Sequence, residues 1–284
     1  MKIISPQITQ KISFFLLFLS ALLAITPVVL ILLVIFKNGV GAISWEFLTT
    51  APNNGMRGGG ILPAIVGTFC LVIGAVILAV PIGVASAIYL NEYAKKGYLT
   101  RLIRLAIINL SGVPSVVYGL FGLGLFVIFL KFGASILAGS LTLAIMNLPV
   151  IITATFEALT NVPTSFRQVS LSLGATKWQT IYHLILPRAT PGILTGVILE
   201  ISRAAGETAP ILFTVAAFYL PHLPTSIFDQ VMALPMHLYV ISTQVPNIGL
   251  DVRCATALVL LTVVFGVNLA AIIIRAKLRK RQRW

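Results

Sequence analysis

The sequence predicts an all-α integral membrane protein with six transmembrane helices. Hydrophobic residues make up 58% of the 284 residues and charged residues only 10%, whereas a soluble domain carries about 25% charged residues. A helix that crosses a bilayer needs about 20 mostly apolar residues. Six stretches of the chain meet that need, namely 14–36, 61–90, 105–130, 132–156, 189–220 and 254–274.

The positions of the basic residues predict the orientation in the membrane. The formal charge of +13, from 20 Lys and Arg against 7 Asp and Glu, could point to nucleic acid. The basic residues instead lie in short blocks between uncharged runs, which is typical of membrane proteins, so no nucleic-acid partner is expected. Fifteen of them fall in 1–13, 91–104, 157–188 and the tail, and four fall in the alternate segments. Both termini are therefore expected in the cytosol.

Motifs for chemistry on the chain itself are missing from the sequence. The string G-x-x-x-x-G-K-[ST] does not occur, so any ATP would have to be bound by a separate protein. Cys70 and Cys254 lie in apolar runs, and the three histidines are scattered without a metal-ligand spacing. We therefore expect neither a cofactor nor a metal site on this chain.

The segment 157–190 is longer than the other loops between predicted spans and stays rich in apolar residues. Its pattern predicts a helix over 165–173, a turn at Gly174 and a second helix that ends at Pro187. In the second helix one apolar face is formed by side chains at i, i+3, i+4 and i+7, namely Trp178, Ile181, Tyr182 and Ile185. Two interpretations fit, a helix resting on the membrane interface or a docking element for a cytosolic partner.

Three ionisable residues interrupt the fifth predicted span. Glu200, Arg203 and Glu207 follow one another at i, i+3 and i+7, which puts them on one helix face where Arg203 can reach either carboxylate. Insertion costs about 2.5–3.5 kcal/mol for each such residue at a helix centre, so these side chains are expected to face protein or water. Either they form a structural salt bridge, or Arg203 binds a permeating anion while Glu207 alternately pairs with it and releases it.

A helix break is predicted directly after these charges. Pro210 has no N–H group, so the carbonyl of Gly206 loses its helical hydrogen-bond partner. We therefore predict a kink and a candidate hinge between Gly206 and Pro210.

The loop resembles a known family motif. Gln168-Val169-Ser170, Gly174 and Leu184-Ile185-Leu186-Pro187 are spaced like the EAA…G…I-LP loop of bacterial ABC importer permeases, although Gln-Val-Ser replaces Glu-Ala-Ala and Leu184 replaces isoleucine. The resemblance implies that the loop docks on a separate ATPase subunit. The residues assigned to this coupling loop are Gln168, Gly174, Trp178, Ile181, Leu184, Leu186 and Pro187.

A second resemblance concerns the segment Ser202–Pro210, which is similar to the R-A-x-G-E-T-A-P string of phosphate-importer permeases. Segments 59–68, 87–93 and 112–122 resemble the same family, the A-type (PstA-type) membrane subunits of phosphate-specific ABC transporters. The resemblance implies a type I ABC importer permease fold and a role of Arg203 and Glu207 in phosphate passage. It also implies a type-1 transmembrane domain at 61–275, preceded by an N-terminal segment at 1–60 and followed by a basic tail at 276–284.

The same resemblance implies the partners of the chain in a bacterial plasma (inner) membrane. They are a second permease of the PstC type, an ATPase dimer of the PstB type, an extracytoplasmic phosphate-binding protein of the PstS type, and membrane lipid. Other interpretations stay open at this point. The chain could serve an importer of another oxyanion, such as molybdate or sulfate, or it could be a secondary transporter; a membrane enzyme is the weakest alternative because no metal-ligand cluster accompanies the sparse acidic residues.

Overall fold

The computed structural model describes residues 6–95 and 97–280, and it is almost entirely helical. Lys2, Lys96 and the tail from residue 281 onward, which entered the charge and domain predictions, lie outside the described residues. The described helices are α1 Pro6–Gly39, α2 Trp45–Thr49, α3 Leu62–Ile88, α4 Tyr98–Leu110, α5 Ser115–Gly122, α6 Ile136–Thr160, α7 Thr164–Ser172, α8 Lys177–Thr180, α9 Leu186–Gly206, α10 Ala209–Thr214, α11 Leu234–Thr243 and α12 Leu250–Lys280. A short antiparallel hairpin joins β1 (Pro52–Asn53) to β2 (Gly58–Gly59), between α2 and α3.

Five helical segments of the described chain are long and apolar enough to cross a membrane. They are Gln10–Ala42, Leu62–Tyr93, Ile136–Thr160, Lys177–Gly206 and Leu250–Lys277. The predicted total of six is reached only if a bent helix pair, Tyr98–Leu110 with Ser115–Phe129, counts as one span. The predictions of an all-helical membrane fold and of five of the spans are confirmed, with shifted ends.

The prediction of one continuous third helix over 105–130 is wrong. Helix α4 ends at Leu110, and α5 begins at Ser115 and continues as a π-helix to Phe129. The two parts are bent by 99°. Pro114 causes the break, because it has no N–H to donate and disfavours helical backbone at the residue before it.

The predicted fifth span over 189–220 is wrong at both ends. The helix begins at Lys177, well before residue 189, and stops at Gly206. The second loop helix therefore does not end at Pro187 as predicted. A π-turn over Ile181–Ile185 joins α8 to α9, and Pro187 lies at the very start of α9, where a missing N–H is tolerated.

The remaining span boundaries differ by a few residues for local reasons. Helix α6 was predicted over 132–156 but runs over Ile136–Thr160, because the Ser135 hydroxyl caps it by accepting a hydrogen bond from the Ala138 amide at 3.2 Å. Lys131 and Gly133, with φ of +56° and +69°, form the turn before it. The outer helices α1 and α12 extend beyond the predicted 14–36 and 254–274.

The centre of the bundle is formed by α3, α6 and α9, while α1 packs on α12 at the periphery. We call the end that carries α7 and α8 the loop end, and the other the far end. The main hydrophobic core lies at the far end and includes buried residues of α3, α6 and α11. Gly67 makes this packing possible, since a Cβ there would meet the Met232 carbonyl oxygen at 2.0 Å. The neighbouring Thr68 hydroxyl accepts a hydrogen bond from the Leu234 amide at 2.8 Å.

Candidate functional site

The predicted helix–turn–helix of the coupling loop is present at the loop end. Pro163 precedes α7, and the chain turns at Gly174, whose φ is +85°. This left-handed backbone conformation costs a residue with a Cβ about 1–2 kcal/mol, which explains glycine at the turn. Apart from the residues adjacent in the chain, no described residue has an atom within 4 Å of the position that a Gly174 Cβ would take. The requirement for glycine is therefore conformational rather than steric within this chain.

Hydrogen bonds fix the two loop helices relative to each other. Thr176 and Gln179 form a capping box at the start of α8, with the Gln179 amide donating to the Thr176 hydroxyl at 3.2 Å and the Thr176 amide donating to Gln179 Oε1 at 2.8 Å. The hydroxyls of Ser170 in α7 and Thr180 in α8 lie 2.9 Å apart. The loop is thus an ordered element that can transmit a displacement.

The predicted single apolar face of the second loop helix is divided between two environments. Ile181 and Ile185 are buried, with 1% and 0% of their surface exposed, and they pack toward the bundle. Trp178 and Tyr182 are 60% and 55% exposed, and their rings stack at a centroid distance of 6.2 Å. The four side chains differ in environment because the helix runs on into α9, so only the isoleucine side meets the bundle.

The other coupling-loop residues differ in exposure. Gln168 and Pro187 are exposed, whereas Leu184 and Leu186 are half-buried. Several apolar side chains of the loop also point outward, namely Val169, Leu171 and Leu173, the last being 83% exposed. An exposed apolar surface of this kind on a membrane protein's extramembrane loop is typical of a protein–protein interaction site.

A buried ion pair, which the sequence reasoning missed, connects the loop to two membrane spans. The Arg167 side chain in α7 forms an ion pair with Glu92, the Nη2–Oε1 distance being 2.7 Å. Its guanidinium also donates to the carbonyl oxygens of Leu159 and Val162, at 2.8 and 2.7 Å. Glu92 belongs to the π-turn that ends the span containing α3, and Leu159 belongs to α6. We call this group of four residues the loop clamp.

We expect that Glu92→Gln lowers the free energy of unfolding by about 3 kcal/mol, because it leaves a mostly buried guanidinium without its counter-charge. Thermal denaturation of the assembled transporter in detergent would measure the loss. The exchanged pair Glu92→Arg with Arg167→Glu should not restore stability, since a glutamate at 167 cannot donate to the Leu159 and Val162 carbonyls. A loss below about 0.5 kcal/mol for Glu92→Gln would show that the clamp is unimportant for stability.

The three charged residues of the fifth span are arranged differently from the prediction. Helix α9 ends at Gly206, and Glu207 follows it with extended backbone angles (φ −70°, ψ 138°), so it does not share the helix face. Arg203 still pairs with Glu207, with 3.2 Å between Nε and Oε1. Glu200 is buried, with 4% of its surface exposed, and no ion pair between it and Arg203 is recorded in the described residues.

The Arg203–Glu207 pair lies at an uncovered side of the bundle. The Arg203 side chain is 37% exposed and that of Glu207 16% exposed, although neighbours in the same turn, Ala204 and Ala205, are buried against α3 and α12. A guanidinium with a free edge can bind the oxygens of an oxyanion in a bidentate manner.

The predicted kink between Gly206 and Pro210 is a complete helix break. Glu207 and Thr208 are outside any helix, and Pro210 begins the new helix α10 rather than interrupting α9. The position of the break is confirmed, and its use as a hinge stays a prediction.

The segments 112–122 and Ser202–Pro210, which both resemble the same family, meet at this break. Gly119 of α5 packs against α10, and a Cβ on Gly119 would lie 3.0 Å from Pro210 Cα and 3.1 Å from the Ala209 carbonyl oxygen. The segment 112–122 and the segment Ser202–Pro210 therefore pack against each other.

The two parts of the candidate site belong to one continuous helical segment. Lys177–Gly206 spans 30 residues, about 45 Å at 1.5 Å per residue. It begins in the coupling loop and ends at Gly206, three residues after Arg203 and directly before Glu207. A displacement of the loop therefore has a mechanical connection to the ion pair.

Solved structures share this fold at low sequence identity. A chain of a bacterial ABC transporter that imports the acidic polysaccharide alginate superposes with a TM-score of 0.69, at 14% identity, covering 95% of this chain and 97% of that one. A chain of the MetNI methionine ABC transporter in an inward-facing conformation gives 0.62 at 16% identity, covering 77% and 95%. The fold is that of a type I ABC importer permease.

Sequence comparisons give the family. The family model for the binding-protein-dependent transport system inner membrane component matches residues 79–284. The phosphate transport system permease protein PstA 1 of Mycobacterium tuberculosis is 36% identical over 271 residues, 94% of this chain and 87% of that protein. The probable ABC transporter permease protein YqgI of Bacillus subtilis is 34% identical over 251 residues, 84% and 85% of the two chains. This chain belongs to the inner-membrane-component family of binding-protein-dependent transport systems and, within it, to the PstA-type permeases.

Proposed function

We propose that this chain is a membrane-spanning permease subunit of an ATP-driven phosphate importer. The observation that supports it most strongly is the half-exposed Arg203 guanidinium, which lies in the last turn of a helix that starts in the coupling loop and pairs with Glu207 at 3.2 Å. The PstA relatives are phosphate transport system permease proteins, which supports phosphate as the cargo. A guanidinium is well suited to phosphate because its planar fork matches two phosphate oxygens.

In the proposed mechanism Glu207 releases Arg203 when phosphate arrives and takes it back when phosphate leaves. The two states must differ in the distance between these side chains, and the break at Glu207–Thr208 is where the backbone can change. Gly206 and Pro210 then act as the hinge. Closure of the ATPase on the coupling loop moves the Lys177–Gly206 helix, and the loop clamp carries the same motion to the spans of α3 and α6.

The partners we propose follow from the uncovered surfaces. The open side of the Arg203 site is completed by a second, PstC-type permease. An ATPase dimer of the PstB type binds the exposed apolar residues around Trp178 and Leu173. A PstS-type binding protein delivers phosphate at the far end, which places the loop end and both termini in the cytosol. Hydrolysis of ATP belongs to the partner in this proposal, and the transmembrane domain at 61–275 serves only transport.

Competition of uptake tests the proposed cargo. We expect the reconstituted transporter, with its binding protein outside and ATP inside, to take up radiolabelled phosphate, and we expect a hundredfold excess of sulfate or molybdate to reduce that uptake by less than about twofold. An importer of another oxyanion is the second candidate function, since a guanidinium binds sulfate by the same geometry. Strong competition by molybdate or sulfate would favour that candidate and contradict ours.

A further inference from the structure

A cavity of about 800 Å³ opens at the loop end between α4 and the ends of the spans that contain α3 and α6. Its lining includes the apolar side chains of Leu90, Leu105, Ile108 and Phe156. The lining also includes Arg101, Arg104 and Arg167 together with three threonines. The cavity therefore offers both apolar and basic side chains, and a small inorganic ion would use only the basic ones.

The charges around the cavity leave it positive. Among the described residues, Glu92 is the one acidic side chain that lines it, and Glu92 is already paired with Arg167 in the loop clamp. Arg101 and Arg104 are three residues apart on α4 and so lie on one side of that helix. The Arg104 guanidinium lies 4.0 Å from the centre of the Phe156 ring, so a basic and an apolar lining residue are in contact. In the described lining, Arg101 and Arg104 thus have no acidic partner other than the paired Glu92.

Helix α4 has the form of a helix that lies on a membrane surface. It is bent by 99° from the following membrane-crossing part. Tyr98, Leu99 and Leu102 on it are 83%, 69% and 50% exposed. A helix with exposed apolar residues and arginines, lying across the end of a span, is suited to the boundary between acyl chains and headgroups. The cavity therefore opens at the depth of phospholipid phosphates.

We propose that this cavity binds one anionic phospholipid. Its phosphodiester lies between Arg101 and Arg104, and an acyl chain covers the apolar side chains of Ile108 and Phe156. Basic pockets of this kind between membrane helices are known to hold anionic lipid headgroups. The bound lipid would fill the space between α4 and the loop clamp and so stabilise the position of the coupling loop. The site is separate from Arg203 and does not depend on the identity of the transported anion.

Native mass spectrometry of the assembled transporter tests this site, with phosphatidylglycerol and phosphatidylcholine of identical acyl chains as the probes. We expect one phosphatidylglycerol to bind tightly and phosphatidylcholine to bind at least tenfold more weakly. Arg101→Gln with Arg104→Gln should weaken phosphatidylglycerol binding by about tenfold or more. Arg101→Lys with Arg104→Lys should stay within about threefold of the natural chain, because the charge is kept.

A matched control removes two positive charges elsewhere at the loop end of the bundle. Arg275→Gln with Lys277→Gln, on α12 and outside the cavity, should change the affinity less than about twofold. Equal losses in both double variants would show general electrostatic attraction and overturn the proposal. Displacement of the lipid by millimolar inorganic phosphate would also overturn it, since the cavity would then be a phosphate site. Equal binding of the two lipids would contradict it as well.

Discussion

Arg203→Ala is expected to reduce phosphate uptake by about 100-fold or more while the transporter still assembles. A charged hydrogen bond contributes about 1.5–3 kcal/mol, and the guanidinium offers two of them to one phosphate. The combined loss of about 3 kcal/mol or more corresponds to more than a hundredfold in rate. The measurement is uptake of radiolabelled phosphate into proteoliposomes, with assembly checked by size-exclusion chromatography. Lys11→Ala, which removes an exposed positive charge of α1, should leave uptake unchanged.

Exchanging the two charged residues distinguishes a role of the ion pair in phosphate passage from a purely structural role. Arg203→Glu combined with Glu207→Arg keeps a pair of opposite charges and should recover thermal stability. The guanidinium is then attached at position 207, beyond the end of the helix, and so occupies a different place. We expect uptake to stay lost in this variant. Recovery of uptake to near the natural level would mean that the pair only fixes the helix end, and that Arg203 does not bind phosphate.

Gly174→Asp is expected to abolish the coupling between ATP hydrolysis and uptake. The substitution forces a Cβ into a backbone conformation with φ +85° and adds a negative charge to the turn between α7 and α8. The strain of about 1–2 kcal/mol distorts the loop, while the bundle keeps its fold because nothing lies within 4 Å of the new Cβ. We expect stimulation of the ATPase by phosphate-loaded binding protein, and uptake itself, to fall at least about tenfold.

The chain offers a control with the same backbone strain outside the loop. Gly133 also has a positive φ, +69°, and has open space at its Cβ position, but it lies at the far end, before α6. Gly133→Asp should cost similar stability and leave the stimulation of the ATPase unchanged. If Gly174→Asp retained full stimulation, or if Gly133→Asp lost it equally, docking of the ATPase on the loop would be contradicted.

The sequence predicted the parts of the fold that follow from local rules. Long uncharged runs identified the spans, and the positions of Gly174 and of the break after Gly206 followed from the conformational limits of glycine and proline. Its errors lie where local signals compete. Hydropathy alone predicted one helix over 105–130, but Pro114 divides that apolar stretch into two helices. Pro187, in contrast, does not end a helix, because a π-turn before it accommodates the missing N–H.

The candidate site was only partly visible in the sequence, because its geometry depends on long-range contacts. The pairing of Arg203 with Glu207 followed from their spacing, although the helix end between them did not. The Glu92–Arg167 contact joins residues 75 positions apart, and no periodicity brings them together. The burial of Ile181 beside the exposed Trp178 likewise depends on which neighbours the bundle supplies.

The central claim is that ATP hydrolysis by a partner moves phosphate through this chain by way of the loop and the Lys177–Gly206 helix. The most direct measurement compares phosphate uptake into proteoliposomes that contain both permeases, with and without the ATPase subunit, in the presence of ATP and binding protein. Uptake is predicted only with the ATPase, and it should be lost with Gly174→Asp. Accumulation of phosphate against its gradient without the ATPase, driven by an ion gradient alone, would contradict the claim.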